Sequence, residues 1–296
     1  MALTQIRHFL ILLASVAAIA VGAAEKKIVF IAGPPSHGPG EHEHRAGCLL
    51  LQECLSGVPD VISVVYSNGW PSEPDAFRDV STLVVYCDGG SGHPLLQGDR
   101  LKAIGDLMNQ GVGLILIHYA VEPTREKGQA EFLDWIGGAF EIHWSVNPHW
   151  TADFVSLPEH PITRGVTPFT LNDEWYFHMR FRDGMQGVAP ILSAIPPPST
   201  TKRNDGPHEG NPVVRALVAQ RTPQHAAWAA ERADGGRGFG VTGGHFHRGW
   251  ANDDFRKLVL NAILWTAGMD IPADGVTSKV SPEQLEKNLD PKGSGR

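Results

Sequence analysis

The sequence predicts an α/β fold with a mainly parallel central sheet. Three observations carry this. Four continuous apolar runs occupy 27–33, 61–67, 81–90 and 112–120. Segments with helical apolar spacing alternate with them. Glycine and polar residues then gather where the runs end. Buried parallel strands read as continuous apolar runs, and helices carry the crossovers between them.

The first run, KIVFIAG, stops at Gly33 and leads into SHGPGEHEHRAG at 36–47. A helix follows from Arg45 to Leu55, with Cys48, Leu51 and Leu55 on one face. VISVVYS is the second strand and STLVVYCDGG the third. Leu101 to Gln110 forms a second helix that Gly111 stops. VGLILIHYA is the fourth strand. Beyond it, ADFVSL and GVAPILSA read as strands, and HAAWAAER and GRGFGVTGG as a hairpin around ADGG. DDFRKLVLNAILWTAG at 253–268 is the last clear helix. The stretch 199–212 reads as a flexible surface insert, and 271–296 as a polar tail.

The N-terminus has Arg7, an apolar stretch from Phe9 to Val21, and small residues ending at Ala23 and Ala24. This is the layout of a secretory signal peptide, so residues 1–24 are expected to be removed and 25–270 to form one domain. A net charge of −7 argues against a nucleic-acid partner, and no Walker or GxGxxG motif supports a nucleotide. With three cysteines and no CxxC pair, a metal would be held by histidine and carboxylate. Once the signal is removed, no membrane contact is expected. The oligomeric state stays open.

In open α/β sheets, ligands bind at the carboxyl ends of the strands. His118 sits there, at the position of a nucleophile elbow, with Glu122 one turn on. It suits acid–base or ligand chemistry, or a histidine satisfied by hydrogen bonds at a strand end. GGHFHRGW places His245 and His247 on one side of an extended segment, which suits a metal site or one functional and one surface histidine. In NDEWYFH one of Asp173 and Glu174 faces the site, beside Trp175 and Tyr176, or these aromatics are core and the acids cap a turn. HWSVNPHW adds His143, Trp144, His149 and Trp150, a weak signal alone. Trp70 ends the second strand's loop. The opening loop offers His37 first, as nearest its strand, then His42, with His44 on the helix surface. It could equally be a polar loop whose acids complement a helix dipole.

Taken in order, IHYA after a strand, EHPITRG, DEWY, the Trp of AAW, GRGFGVTGGH and FRKLVLNAILWTAG resemble the ThuA-like (trehalose-utilisation) family, over roughly Lys27 to Gly268. The SHGPGEHEH and HWSVNPHW segments resemble its secreted bacterial variants. The resemblance implies a class I glutamine amidotransferase-like, flavodoxin-like three-layer sandwich. His118 stands where glutamine amidotransferases carry cysteine, so glutamine hydrolysis is not expected. His118, His143, Glu174 and His245 match residues of the family pattern, and so does His160. His37, Glu41, His42, His44, His149 and His247 belong to the variant. The family is associated with disaccharide use through 3-keto sugars, which implies an exported sugar-processing enzyme with a small carbohydrate as partner. On that reading His118, Glu174 and Glu122 are catalytic. His143, Trp144, His149, Trp175, Tyr176 and Trp70 bind sugar. His37, His42, His245 and His247 hold a divalent metal, zinc or a similar ion. A non-catalytic carbohydrate-binding protein and a His-dependent hydrolase of another substrate are the alternatives.

Overall fold

Strand β1, Lys26–Ala32, sends Ile28 and Phe30 into one apolar core and Val29 and Ile31 into another. That two-sided burial is why its sequence shows no alternation. The computed structural model describes residues 24–293, so the signal-like segment 1–23 lies outside the described residues. Helix α1, His44–Leu55, leads to β2, Val61–Tyr66, and β3, Val80–Tyr86. Then come α2, Arg100–Met108, β4, Gly113–Ile117, and α3, Gln129–Ile136. Short strands follow: β5, Gly138–Ala139; β6, Trp150–Phe154; β7, Phe169–Asp173; and β8, Arg180–Phe181. The chain continues through β9, Val188–Ala194, α4, Pro212–Ala219, β10, Gln224–Glu231, and β11, Arg237–Val241. It ends with α5, Asp253–Thr266, and the single turn α6, Pro282–Leu285.

Seven strands form one sheet in the order β2-β1-β3-β4-β11-β10-β9. The first five run parallel, and β10 runs antiparallel to both its neighbours. Helices α1 and α5 cover one face through Leu51, Leu55, Leu258 and Ile263; residues of α2 and α3 cover the other through Ile104, Met108 and Phe132. This is the expected three-layer sandwich. Pairs β5–β8 and β6–β7 form separate small ladders. Among the described residues, no helix is long and apolar enough to cross a membrane.

Helix ends follow their sequence signals. Asn252 caps α5, its side chain accepting from the Phe255 amide at 2.9 Å, while Asp253 and Asp254 complement the dipole. Strand four is shorter than its apolar run. It ends at Ile117 because His118 takes φ 56° and starts a 3-10 turn. The segment after 270 is polar by composition yet packs down. Ile271 and Val276 are buried, and the buried Lys292 ammonium lies 3.2 Å from the buried Glu43 carboxylate. Glu43 also accepts from the amides of Gly40 and Asp290. The chain end is thus braced against the loop after β1.

Candidate metal centre and cleft

Four segments meet at the carboxyl edge of the sheet. The loop after β1 folds back along the loop after β11: Glu41 pairs with Phe246, and the His42 amide donates to the His245 carbonyl at 2.9 Å. This brings His42 beside His245. The turn after β4 supplies His118, and the end of β7 supplies Glu174. Asp173, wholly buried, fixes the β11 loop by accepting from the amides of Gly244 and His245 at 3.0 and 2.9 Å. Gly244 has φ 117°, a conformation open to glycine.

The donor atoms of His42, His118, His245 and Glu174 all lie within 4.8 Å of one another. His42 Nε2 is 3.0 Å from His245 Nδ1 and 3.1 Å from His118 Nε2. Glu174 Oε2 is 3.3 Å from His245 Nδ1 and 3.5 Å from His118 Nε2. Ligands at zinc–nitrogen distances on a tetrahedron would stand about 3.3 Å apart.

The outer hydrogen bonds decide which ring nitrogens face inward as lone pairs. His118 Nδ1 meets the Thr242 carbonyl at 2.7 Å and must donate to it. His42 Nδ1 meets the Asp88 carboxylate at 2.7 Å and donates likewise. Burial pushes His42 down to about 2, against the pull of Asp88, so its ring is neutral at pH 7. His118 Nε2 and His42 Nε2 therefore face each other, lone pair to lone pair, unless a cation lies between them. His245 turns Nε2 towards Glu41, 3.7 Å away, and that buried nitrogen has no hydrogen-bond partner. Metal-bound histidines characteristically give their second nitrogen to a carboxylate or carbonyl, and each of these three faces one. Burial favours a neutral Glu174, but the adjoining rings of His118, His149 and His245 outweigh it and hold the carboxyl well below its usual range. Three imidazoles and one carboxylate, in this order of donors, fit zinc or a similar divalent ion.

The backbone at the centre is strained. His37, His42 and His118 have φ of 59°, 45° and 56°. Left-handed backbone costs a residue with a side chain roughly 1–2 kcal/mol, and such outliers gather at functional sites.

A cleft of about 280 Å³ opens beside the centre, lined by His37, His42, Tyr119, Glu174, Tyr176 and His208 among others. The Tyr176 hydroxyl is 3.3 Å from His118 Nε2. A larger groove of about 600 Å³, at Val155, Ile195 and Pro223, includes none of the cluster.

The remaining candidates divide. His149 joins at the rim, half-exposed, with Nε2 3.6 Å from Glu174 Oε1. His37 stacks on His42, ring centroids 3.6 Å apart, but is the more exposed of the two and outside the four-donor cluster. The order His37 before His42 is therefore reversed. His44 is not on the helix surface: it is wholly buried against Tyr86, with Nδ1 on the Pro34 carbonyl. His247, which alternation places beside His245, turns away. The extended run ends at Phe246, a 3-10 turn begins, and His247 Nε2 donates to the Leu285 carbonyl. His143 is exposed and away from the cleft lining, and Trp144 stacks on His178 under the Arg180 guanidinium. Trp175 is core, its Nε1 donating to the Leu171 carbonyl. Trp70 packs on Phe77 beneath Arg100. None of these four side chains offers a sugar platform in the cleft. His160 caps the turn at 161–163.

Glu122 is buried and pairs with His208, Oε1 to Nε2 at 2.8 Å. No local pattern points to His208, because 199–212 reads as an insert by composition. The insert is instead pinned: the amides of His143 and Asn147 donate to the carbonyls of Pro207 and His208, and the Asn211 side chain to that of Trp144.

The trehalose-utilisation (ThuA) family model matches residues 70–266. A ThuA-like protein from Bacteroides uniformis superposes with a TM-score of 0.58 at 14% identity, over 86% of this chain and 97% of that one. One from Parabacteroides merdae gives 0.55 at 15%, over 87% and 94%. No curated protein matches. The two structures share the fold, the family model spans most of the chain, and the chain belongs to the ThuA, trehalose-utilisation family.

Proposed function

We propose that this is an exported, metal-assisted acid–base enzyme acting on a glycoside that carries a 3-keto group. One observation carries the metal part: His42, His118, His245 and Glu174 converge with outer partners that turn imidazole lone pairs inward. The keto-glycoside rests on the 3-keto-sugar use that the family resemblance implies, and export on the signal-like layout of residues 1–24.

A carbonyl at C3 acidifies the C2 proton. Removing that proton puts charge on the carbonyl oxygen, and a bound divalent ion supplies Lewis-acid stabilisation of such charge. The chain's own residues do the rest. His118 and Glu174, expected as acid and base, serve as donors in this reading, held by Thr242 and by the ring of histidines. Tyr176 and Tyr119 line the cleft beside the centre. When the glycosidic oxygen leaves, the same cleft must return a proton to it. The binding-only alternative would have to use Tyr119 and Tyr176, since Trp175 is core and Trp70 and Trp144 stack elsewhere. With His118 at the elbow and Cys87 wholly buried, the elbow offers no cysteine for glutamine hydrolysis.

Elemental analysis of purified protein, followed by zinc titration of chelated protein, tests the centre. One equivalent per chain is expected in the wild type and none in His42→Ala. A wild-type chain that binds no zinc, manganese or cobalt refutes it.

A further inference from the structure

Glu122 and His208 form a second titratable group in the cleft, separate from the four donors. Glu122 Oε1 accepts a hydrogen bond from His208 Nε2 at 2.8 Å, and Glu122 Oε2 is buried with no hydrogen-bond partner. A carboxylate that fixes one ring nitrogen leaves the other with a lone pair, the arrangement of a base aligned by an acid. Here that nitrogen is Nδ1, which has no hydrogen-bond partner among the described residues, on a side chain about one-third exposed in the cleft lining. The ring is held flat on Phe140, centroids 5.3 Å apart. Tyr119 lies between the two halves of the cleft, its ring 6.1 Å from that of His42 and 6.5 Å from that of His208. A single sugar ring resting on Tyr119 can therefore face the metal centre on one side and His208 on the other.

We propose that His208, aligned by Glu122, is the group that takes the C2 proton and later returns it to the leaving oxygen. This rests on the keto-glycoside reading. The C2–H bond breaks, its proton goes to His208 Nδ1, its electron pair forms the C2=C3 bond, and the carbonyl π pair moves onto O3. In the second step an O3 electron pair re-forms the carbonyl, the C2=C3 π pair becomes the C1=C2 bond, and the C1–O bond breaks as it forms. The C1–O electron pair stays on the leaving oxygen, which takes the proton from His208. The two steps conserve atoms and electrons and need no co-reactant. His208 does this better than any of the four donors, whose lone pairs are turned towards one another. Glu122 is a positioning residue. It also raises the basicity of His208.

The test is exchange of the C2 proton of methyl 3-keto-glucoside in D2O, followed by NMR on metal-loaded protein with the uncatalysed rate subtracted. His208→Gln keeps a donor for Glu122 but has no base. It should lower exchange about 100-fold or more, the usual worth of a positioned base, with metal content and melting temperature unchanged. Glu122→Gln should move the acid limb of the exchange profile to lower pH. The other titratable and charged groups lining the cleft with His208 are His37, His42, Tyr119, Glu174, Tyr176, Arg203 and Glu209, and none of them changes in that variant. Exchange retained within threefold in His208→Gln overturns the assignment, and so does a metal-loaded wild type that exchanges nothing. Metal titration reads the centre alone. Metal bound without exchange sinks the dyad and spares the centre; His208-dependent exchange without metal does the reverse.

Discussion

Asp88→Asn is the sharpest probe of the four-donor centre, because it changes none of those four donors. Asp88 Oδ1 accepts from His42 Nδ1 at 2.7 Å and lies 3.7 Å from His44 Nε2. Burial pushes its pKa up, but hydrogen bonds from His42 and Ser36 more than reverse this, so it is a carboxylate at neutral pH. A carboxylate can only accept, which forces the His42 proton onto Nδ1 and the lone pair onto Nε2. An amide can present its NH2 group instead. The His42 proton then moves to Nε2, where it faces His118 and blocks the ion. If the amide presents oxygen, the tautomer survives but the charge-assisted bond becomes a neutral one of roughly half the strength. Losing an outer partner of this kind costs about 10- to 100-fold in metal affinity, equivalent to about 1.4–2.8 kcal/mol. Zinc competition against a chromophoric chelator at pH 7 measures it, with circular dichroism to confirm the fold. A dissociation constant within twofold of wild type would refute the tautomer argument.

Three further outcomes follow from the packing. His93 is wholly buried, donates through Nε2 to the Ala120 carbonyl and accepts the Leu95 amide at Nδ1, and burial lowers it to about 4. Between pH 6.5 and about 4 the unfolded chain binds a proton that the native one refuses, so stability falls with pH by about 3 kcal/mol from this residue. His44, also lowered to about 4 by burial, adds to the slope. In His93→Asn, whose amide oxygen can still cap Leu95, the loss measured by urea unfolding between pH 7 and 4.5 should shrink by about 2 kcal/mol, the part of that term spanned by this window; an unchanged slope counts against it. Lys292→Met strands the buried Glu43 carboxylate at a cost of about 3 kcal/mol, and limited proteolysis should then cleave beyond residue 270 faster than in wild type. Gly244→Ala forces a side chain onto a backbone at φ 117°. It should cost about 1–3 kcal/mol and weaken zinc binding as His245 shifts; unaltered affinity would show the loop to be pliable.

Much of this molecule could be read from its residues, for reasons the structure makes plain. Continuous apolar runs marked the strands because both sheet faces are buried. The rule that ligands sit at carboxyl ends led to His118, His245 and the loop holding His42. It could not rank that loop. Closeness to β1 in sequence favours His37, but the loop doubles back to pair with Phe246, and this swings His42 inward. Alternation misplaced His247 because the extended segment ends one residue earlier. Tryptophans beside acids suggested a sugar platform, yet Trp175 is needed in the core against Phe154 and Phe255. His208 lay beyond any local pattern. Its position depends on backbone hydrogen bonds to residues more than sixty positions away, which no periodicity records.

The left-handed backbone at His37, His42 and His118 has a practical consequence for engineering. At each position glycine would hold the same turn without steric cost. A programme seeking only heat resistance would rank those glycine swaps highly, and two of them would erase a metal donor. Stability and metal retention should therefore move in opposite directions at 42 and 118 and together almost everywhere else. A variant library scored on both readouts would locate the centre without knowledge of the substrate.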